Sequence, residues 1–549
     1  MKLFLKQNWK FLALVSVMVV LVYGNTLDND LLSDDLAAII QNPLIGTFRD
    51  VLTNPMYGMR TFVYNVIYSI WNVNPYPYHL INLLVHIIMV CLIFEFVRKI
   101  STERIALITA LIFSVHPLFT ESVTWVSGGI YAQYSVLVMI SLLLYMKSKG
   151  VSDRLNLLGL LIFFLALATI EKAAAFPLLL VLYEFSFGNI RANWRKITPY
   201  FALSGIWTGL LLYLRLHDRL QEVAQNAGSV HAYNNPLQQI PIALFGYLKL
   251  FLWPSDLTFY HAEIRYDFRE YLLMVSVLLV ILAICVITYR SSKLLLFGFL
   301  FFFLSLTPTL TPIPIAWVVA ERYVYLGGLG LCLMVAGSID LLEKALRISN
   351  QRLVYVLLAL LLIILGWRSV IRNREWQSQD TLWPATVKVS PLSPNAWNNM
   401  GDVYARHNEL EKSVQAFIRA TELLPTYADA YHNTANIYVK LGDNVNAEIY
   451  YKKAIELRPG IWQSRMNLAI LLFNQKRYEE AFEQMDKAIQ TVPNEPMLHV
   501  NLALMYITVG DRNKALAEIN RALSLDPGNL KTQDIARTIQ NMPEKENSK

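Results

Sequence analysis

Residues 353–376, LVYVLLALLLIILGWRSVIRNREW, contain the last of about eleven apolar runs, each near the length that crosses a bilayer as a helix. Residues 394–425, PNAWNNMGDVYARHNELEKSVQAFIRATELLP, begin a repeat of 34 residues. The chain therefore changes character near Trp376. The two patterns together predict a polytopic membrane domain followed by a solenoid of paired helices.

The repeat is defined by proline and alanine. Its prolines stand 34 residues apart, and alanines keep the same interval five residues earlier: Pro425, Pro459, Pro493 and Pro527 follow Ala420, Ala454, Ala488 and Ala522. This is the tetratricopeptide period, in which small residues let paired helices approach and proline ends each second helix. We predict four units and a capping helix over residues 529–541. Such a solenoid offers a concave surface for a peptide or partner, and the alternative is a pure scaffold.

Composition favours a membrane protein over a soluble or nucleic-acid-binding one. Of the 549 residues 55% are hydrophobic, and the mean hydropathy is +0.37. The net charge is +7, but residues 394–549 hold 18 Lys and Arg against 19 Asp and Glu, which leaves +8 for the membrane half. The basic excess therefore does not indicate nucleic-acid binding. Cys91, Cys285 and Cys332 all lie in apolar runs, and they predict neither a disulfide framework nor a metal cluster.

The basic residues also predict sidedness, because Lys and Arg concentrate in cytoplasmic loops. With eleven spans, every basic connection falls on one side of the membrane. Treating residues 240–253 as a twelfth span would move two basic loops to the other side, so we interpret this run, which carries Lys249, as interfacial or re-entrant. The expected spans are residues 8–24, 76–97, 104–119, 128–146, 155–171, 172–188, 198–216, 271–289, 294–311, 323–341 and 353–369. This topology predicts an integral plasma- or inner-membrane protein with a cytoplasmic N-terminus and extracytoplasmic repeats.

Ionisable residues near the predicted outer ends of the spans form the candidate site. A charge within a bilayer costs about 2.5 to 3.5 kcal/mol on insertion scales, so ionisable residues at these positions are expected to have a structural or functional role. Asp34 and Asp35 lie in the first outer loop. The other members of the set are Arg60, His79, Asn82, His86, His116, Glu121, Glu171, Lys172, Glu321 and Arg322. The topology places all of them at one membrane face.

This set suits sugar transfer from a lipid-phosphate donor. Cations must hold the departing phosphate, which Arg322, Lys172 and Arg60 can do. An acceptor hydroxyl needs a carboxylate to take its proton, and Asp34 or Asp35 can supply it. Burial would raise the pKa of that base, whereas nearby cations would lower it.

Each feature also has a purely structural interpretation. Asp34 and Asp35 after Ser33 could cap a helix N-terminus. His79 and His86 could be interfacial histidines, and Glu321 and Arg322 an interfacial charge pair. The functional interpretation is favoured because several polar residues from separate spans are predicted to lie on the same side of the membrane.

Five strings resemble a known family when they are taken in order ahead of the repeats. They are SDDLAAIIQNP (33–43), NPYPYHLINLLVH (74–86), VHPLFTESVTWVSG (115–128), EKAAAFPLLLVLYE (171–184) and AERYVYLGGLG (320–330). Together they resemble the transmembrane and tetratricopeptide-repeat-containing O-mannosyltransferases and their prokaryotic relatives. The resemblance implies a GT-C glycosyltransferase fold, a polyprenyl-phosphate-linked sugar donor, and inverting transfer to Ser or Thr hydroxyls outside the cytoplasm.

The resemblance also implies roles for residues. Asp34, Asp35 and Glu121 become candidate catalytic residues, while Arg322, Lys172, Arg60 and His116 become candidate ligands of the donor phosphate. His79, His86 and Glu321 complete the polar set. Three differences from the family pattern bear on the donor sugar: Gly129, Ile130 and Tyr131 follow Trp125–Gly128, Arg60 precedes Thr61, and Glu171 precedes Lys172.

The sequence thus predicts an all-α protein with a GT-C-like membrane domain over residues 1–375, a linker over 376–393, a tetratricopeptide-repeat domain over 394–541 and a disordered tail over 542–549. Its expected partners are a lipid-linked sugar, the membrane and a protein or peptide acceptor. Neither a metal site nor a nucleotide-binding motif is predicted, although the acidic loop could hold a divalent cation. The alternatives are a polysaccharide polymerase or O-antigen-ligase-like transferase, and a non-enzymatic membrane-anchored assembly platform.

Overall fold

The computed structural model describes residues 2–49, 51, 58–225, 236–261, 266–310, 317–347 and 350–542. These residues form helices and connecting loops, without a β-strand among them. The chain divides into two compact units, residues 1–391 and 392–549. The predicted tail, apart from Met542, lies outside the described residues.

The first unit is built from helices of very different lengths. In chain order they are α1 (Lys2–Tyr23), α2 (Gly58–Trp71), α3 (Pro75–Ile100), α4 (Glu103–Val115), α5 (Thr120–Thr124), α6 (Gly129–Lys147), α7 (Arg154–Leu167), α8 (Phe176–Ser186), α9 (Ile190–Gln225), α10 (Pro236–Leu252), α11 (Phe268–Ile287), α12 (Lys293–Leu306), α13 (Gly328–Ala345), α14 (Gln351–Glu375) and α15 (Gln379–Val389). The last of these lies within residues 376–393, for which the sequence predicts a linker.

Six helices in the described residues are long and apolar enough to cross a membrane. They contain Asn8–Thr26, Pro75–Ile100, Gly129–Lys147, Ile190–Leu214, Phe268–Arg290 and Gln351–Glu375. A seventh span is possible if Glu103–Val115 and Pro117–Thr124, which meet at a 58° bend, cross as one. The chain is therefore a membrane protein, but the count of eleven spans is not confirmed. Predicted spans such as 155–171 and 172–188 correspond to shorter helices, so the sidedness that depends on the count stays a prediction.

Buried hydrogen bonds near the end of α14 hold several segments of this unit together. Asn373 near the end of α14 donates to the backbone of Val22 in α1 (2.8 Å) and accepts from Thr124 in α5 (2.9 Å). The backbone of Asp30 donates to that of Gln377, just past α14 (2.9 Å). Since buried polar groups are costly unless they are paired, these contacts fix the end of α14 against α1, α5 and the segment that follows α1.

The second unit consists of consecutive helix pairs. Its helices are α16 (Pro394–Arg406), α17 (Leu410–Leu423), α18 (Ala428–Leu441), α19 (Asn444–Leu457), α20 (Trp462–Asn474), α21 (Tyr478–Thr491), α22 (Pro496–Val509), α23 (Arg512–Leu525) and α24 (Leu530–Asn541). A Cβ atom on Gly401 would lie 2.6 Å from the Phe417 ring, so α16 and α17 approach closely only because this residue is glycine. Asn529 caps α24 by accepting from the backbone of Thr532 (3.1 Å).

Candidate functional site

Asp35 is a buried carboxylate in the segment between α1 and α2. Its side chain is fully buried, whereas Asp34 is exposed. One carboxylate oxygen of Asp35 accepts from the backbone of Leu32 (3.0 Å), and the other accepts from the backbone (2.7 Å) and hydroxyl (2.5 Å) of Ser127. Its side chain does not cap the helical turn Leu36–Ile40 that follows. The capping alternative therefore does not describe Asp35, which binds the loop between α5 and α6 instead.

Burial gives Asp35 a pKa near neutrality. Removal from water raises the pKa of its carboxyl group to about 7, and the neighbouring Asp34 adds to the rise. The hydrogen bonds from Ser127 and Leu32 oppose this effect because they stabilise the carboxylate. A proton can therefore be gained or lost here near pH 7, as a general base requires.

The Trp125–Gly128 loop that holds Asp35 is itself fixed. The Trp125 indole donates to the carbonyl of Leu32 (3.2 Å), and Asn82 of α3 donates to the carbonyl of Trp125 (3.0 Å). A Cβ atom on Gly129 would lie 2.0 Å from the Asn82 side chain, so only glycine fits at this position. The role of Asn82 in the predicted polar set is thus to anchor this loop.

Arg60 contacts Tyr64, and Tyr64 in turn lies near Asp35. Its guanidinium carbon lies 5.9 Å from the centre of the Tyr64 ring, one helical turn along α2. The Tyr64 hydroxyl group is buried and faces Ser127 and Asp35. The second helix thus adds a cation at the edge of the carboxylate site.

Glu121 and Arg322 form a buried ion pair beside this loop. The backbone of Arg322 donates to one oxygen of Glu121 (2.8 Å), and its guanidinium group binds the other. The guanidinium carbon lies 5.6 Å from the Trp125 ring and 5.1 Å from the Tyr323 ring. Glu121 is therefore held by a cation, and Trp125 contacts both this pair and, through Leu32, the loop of Asp35.

Lys172 joins the same cluster from the turn before α8. Its ammonium nitrogen donates to the Tyr131 hydroxyl (3.1 Å) and lies 4.0 Å from the centre of the Tyr323 ring. Arg322 contacts this same tyrosine. Residues from two separate turns thus place two cations, both candidate phosphate ligands from the sequence, around one aromatic side chain.

Glu321 points away from Arg322 although the two are adjacent. One of its oxygens accepts from the backbone of Thr258 (2.5 Å) and from Arg372 (3.3 Å). Arg372 also binds Glu375 one turn further along α14 (2.6 Å). Glu321 is therefore paired with the last long helix, and the alternative of an interfacial pair between Glu321 and Arg322 does not describe it.

The three candidate histidines are buried in helix packing. The His116 ring stacks on Phe251 at 4.4 Å, and its Nε2 lies 2.9 Å from the carbonyl of Phe251. His86 Nδ1 lies 2.6 Å from the Tyr325 hydroxyl, deep in α3. His79 is buried beside the backbone of Asn29, Asp30 and Thr124. None of these contacts joins a histidine to Asp35, Lys172 or Arg322.

Sequence reasoning missed Ser127, Tyr131, Tyr323 and Arg372. For Arg372 a signal is present, because Arg368, Arg372 and Glu375 recur at intervals of four and three residues and so share one face of α14. For the tyrosines and Ser127 the sequence offers no such pattern, since their contacts join distant turns. The described residues contain no group of three metal-ligating side chains.

Models of the tetratricopeptide repeat match the second unit. A model described as TPR repeat matches residues 401–442, and models described as tetratricopeptide repeat match residues 432–496 and 498–529. The prediction of an all-α membrane protein with a C-terminal repeat solenoid is thereby confirmed.

Solved repeat proteins are also similar, at 18% identity. TTC0263, a thermophilic TPR protein of Thermus thermophilus, aligns with 35% of this chain and 97% of its own (TM-score 0.28). YrrB, titled a TPR protein with an unusual peptide-binding site, aligns with 36% and 97% (TM-score 0.26).

Curated relatives cover both units. Protein O-mannosyl-transferase TMTC3 of Mus musculus is 26% identical over 480 residues, which are 76% of this chain and 51% of the mouse protein. Protein O-mannosyl-transferase Tmtc3 of Drosophila melanogaster is 25% identical over 508 residues, covering 74% and 54%. Protein O-mannosyl-transferase TMTC1 of Homo sapiens is 22% identical over 487 residues, covering 74% and 54%. The chain spans about half the length of these relatives, and over three quarters of its own length it is a homologue of the protein O-mannosyl-transferases.

Proposed function

We propose that the protein is a membrane glycosyltransferase that transfers a sugar from a polyprenyl-phosphate donor to Ser or Thr hydroxyls of proteins outside the cytoplasm. The observation that carries this proposal is the arrangement around Trp125. The Trp125 indole donates to the carbonyl of Leu32, whose N–H group binds Asp35. The Trp125 ring also lies 5.6 Å from the guanidinium carbon of Arg322, which shares the Tyr323 ring with Lys172. A base and a phosphate-binding pair of cations are the two groups that such a transfer needs. Similarity to named O-mannosyl-transferases supports the same reaction class.

In the proposed reaction Asp35 removes the proton of the acceptor hydroxyl. The acceptor oxygen forms a bond to the anomeric carbon while the bond from that carbon to the phosphate oxygen breaks. The proton passes to Asp35, and the bonding electrons leave with the polyprenyl phosphate. Because attack and departure occur on opposite faces of the sugar, the configuration inverts, as the family resemblance implies.

The cations stabilise the charge that develops on the leaving phosphate. Glu121 offsets the charge of Arg322, and the adjacent Glu171 interacts electrostatically with Lys172, so both cations are held beside acids before the donor binds. The phosphodiester of the donor carries one negative charge. The polyprenyl phosphate that leaves gains a further negative charge, because it takes the bonding electrons with it. A site fixed in advance by the Glu121 ion pair and the tyrosine rings needs little reorganisation to receive that charge.

We assign the repeat unit the role of engaging the acceptor protein or a partner. Tetratricopeptide repeats form extended surfaces for protein interaction, and the unit matches three such models. A repeat domain outside the cytoplasm, as the loop charges predict, would lie on the side where the acceptor is modified.

Asp35→Asn tests the catalytic assignment, with Asp34→Asn as its matched control. We expect Asp35→Asn to lower sugar transfer about 10²- to 10⁴-fold, the usual contribution of a general base. Asp34→Asn should stay near wild type because Asp34 is exposed. The measurement is transfer from a polyprenyl-phosphate sugar to an acceptor protein by the purified enzyme. Undiminished transfer by Asp35→Asn would reject Asp35 as the base, whereas the absence of transfer by the wild-type protein would favour the assembly-platform alternative.

A further inference from the structure

Five buried polar atoms without a hydrogen-bond partner lie on Glu321 and on four side chains near it. We call these side chains the Glu321 cluster. The atoms are Thr258 Oγ1, His261 Nε2, Glu321 Oε2, Arg372 Nε and Trp376 Nε1. An unpaired buried polar group costs about 1 to 3 kcal/mol, and native proteins contain only a few of them. Five at one place indicate that something outside the chain completes their hydrogen bonds.

The cluster is a single site because its members meet at two charged side chains. His261 Nε2 lies 3.5 Å from Glu321 Oε1, and the Thr258 backbone donates to the same oxygen (2.5 Å). Arg372 reaches Glu321 (3.3 Å), and its guanidinium carbon lies 5.6 Å from the Trp376 ring. Four of the five side chains are almost fully buried, while His261 keeps 12% of its side-chain surface exposed. His261 is therefore the least buried member of the cluster.

The mixture of donors and acceptors defines the chemistry of the occupant. Arg372 and Trp376 offer N–H donors, Glu321 offers an acceptor, and the Thr258 hydroxyl can do both. A phosphate or another anion would be repelled by the Glu321 carboxylate, and a metal cation by Arg372. A neutral molecule with several hydroxyl groups matches this set, since each hydroxyl both donates and accepts.

The position of the cluster fits the sugar of the donor. Glu321 and Arg322 are consecutive, so their Cα atoms are about 3.8 Å apart, and their side chains face opposite ways. Arg322 is our proposed ligand of the donor phosphate. In such a donor the sugar is bonded directly to the phosphate, so its hydroxyl groups must lie within a few ångströms of Arg322. Phe259 and Trp376, with ring centres 5.4 Å apart, add an apolar wall to the cluster.

We infer that the Glu321 cluster is the subsite that binds the hydroxyl groups of the transferred sugar. This inference rests on the proposed function, because it takes Arg322 as the phosphate ligand. It assigns Thr258, Arg372 and Trp376 to sugar selection, a role that neither the sequence motifs nor the reaction itself requires of them. The alternative occupant is water alone.

Variants that delete one unpaired atom distinguish sugar from water. Thr258→Val keeps the side-chain shape and removes only Oγ1, while Trp376→Phe removes Nε1 and retains an aromatic ring. The control is Thr109→Val, whose hydroxyl group binds the carbonyl of Ile105 within its own helix (2.7 Å). The measured quantity is the ratio of the affinities of the purified full-length protein for polyprenyl-phosphate hexose and for polyprenyl phosphate. The KM for the hexose donor is measured alongside it.

We expect each cluster variant to lower this affinity ratio and raise the KM by up to about tenfold, the loss of one hydrogen bond. Thr109→Val should change neither quantity. If both cluster variants keep the wild-type affinity ratio and the wild-type KM, the inference is overturned and water is the occupant. The proposed function survives that result as long as the protein still transfers the sugar. If the wild-type protein transfers no sugar from any polyprenyl-phosphate donor, the proposed function fails as well. Should Trp376→Phe fold poorly, Thr258→Val decides the matter.

Discussion

Asp35 shows how one residue acquires reactive properties from its surroundings. Its neighbour Asp34 has the same side chain but stays exposed, with the Ser33 hydroxyl 3.5 Å away. Burial raises the pKa of Asp35 to about 7, and three hydrogen bonds from Leu32 and Ser127 fix the direction of its side chain. The same functional group thus becomes a solvated surface acid at one position and a candidate base at the next.

The pH dependence of transfer should follow the ionisation of Asp35. Because the pKa is raised, the carboxylate form is lost as the pH falls through about 7. Below that value kcat should fall about tenfold for each pH unit, while above about pH 8 this group should no longer limit the rate. The profile of kcat between about pH 5 and pH 9 measures this, with enzyme stability followed at each pH. A rate that is flat over the acidic half of that range would contradict the role of Asp35.

At the scale of elements, close helix packing in the membrane unit depends on glycine. A Cβ atom on Gly330 of α13 would lie 2.2 Å from the carbonyl oxygen of Gly298 in α12. In the reverse direction, a Cβ atom on Gly298 would lie 2.7 Å from the carbonyl oxygen of Gly330. Small residues let membrane helices approach in this way. The crossing lies just beyond the Glu321–Val324 turn, so it also helps to position Arg322.

Gly330→Ala should destabilise the membrane unit by about 1 to 3 kcal/mol, because backbone atoms must move to admit the methyl group. Gly205→Ala in α9 is the matched control, since nothing lies within 4 Å of its added Cβ atom. The measurement is the midpoint of thermal unfolding in detergent, monitored for both variants and the wild type. Equal midpoints for Gly330→Ala and Gly205→Ala would show that the close crossing is absent.

At the scale of the whole molecule, the chain joins a membrane unit that carries the candidate site to a repeat unit suited to binding proteins. The two units have different cores. The first buries long aliphatic and aromatic side chains between spans, and the second buries alanine and medium-sized side chains between helix pairs. The proposed division of labour needs both the site and the repeats outside the cytoplasm.

Cysteine labelling tests that sidedness. Each native cysteine is at least partly buried, so an exposed engineered thiol can be followed. Thr47→Cys, in the loop that the charge pattern predicts to be the first outer one, and Gly460→Cys in the repeats should react with a membrane-impermeant maleimide in intact cells. Lys149→Cys, in a basic connection, should react only after permeabilisation. Labelling of Lys149→Cys but not Gly460→Cys in intact cells would reverse the topology and reject an extracytoplasmic reaction.

Local patterns in the sequence were enough to establish the two kinds of unit and the period of the repeats. Apolar run length and a 34-residue interval can be recognised without knowledge of distant contacts. The same patterns located the polar set from which Asp35, Lys172 and Arg322 come. Among the described residues fewer helices reach membrane length than these patterns predicted, since runs such as residues 104–119 bend where Pro117 interrupts the backbone hydrogen bonding.

Which acid is buried, and which distant residues meet, depended on the tertiary structure alone. Asp34 and Asp35 are equivalent in the sequence, and the difference arises because Ser127, 92 residues away, binds one of them. Arg322 and Glu121 are 201 residues apart in the sequence, and Glu321 and Arg372 are 51 residues apart. Such pairings depend on how spans cross and which turns converge, and no local pattern encodes them. For the same reason the unpaired atoms of the Glu321 cluster, and the sugar subsite inferred from them, become visible only in the folded chain.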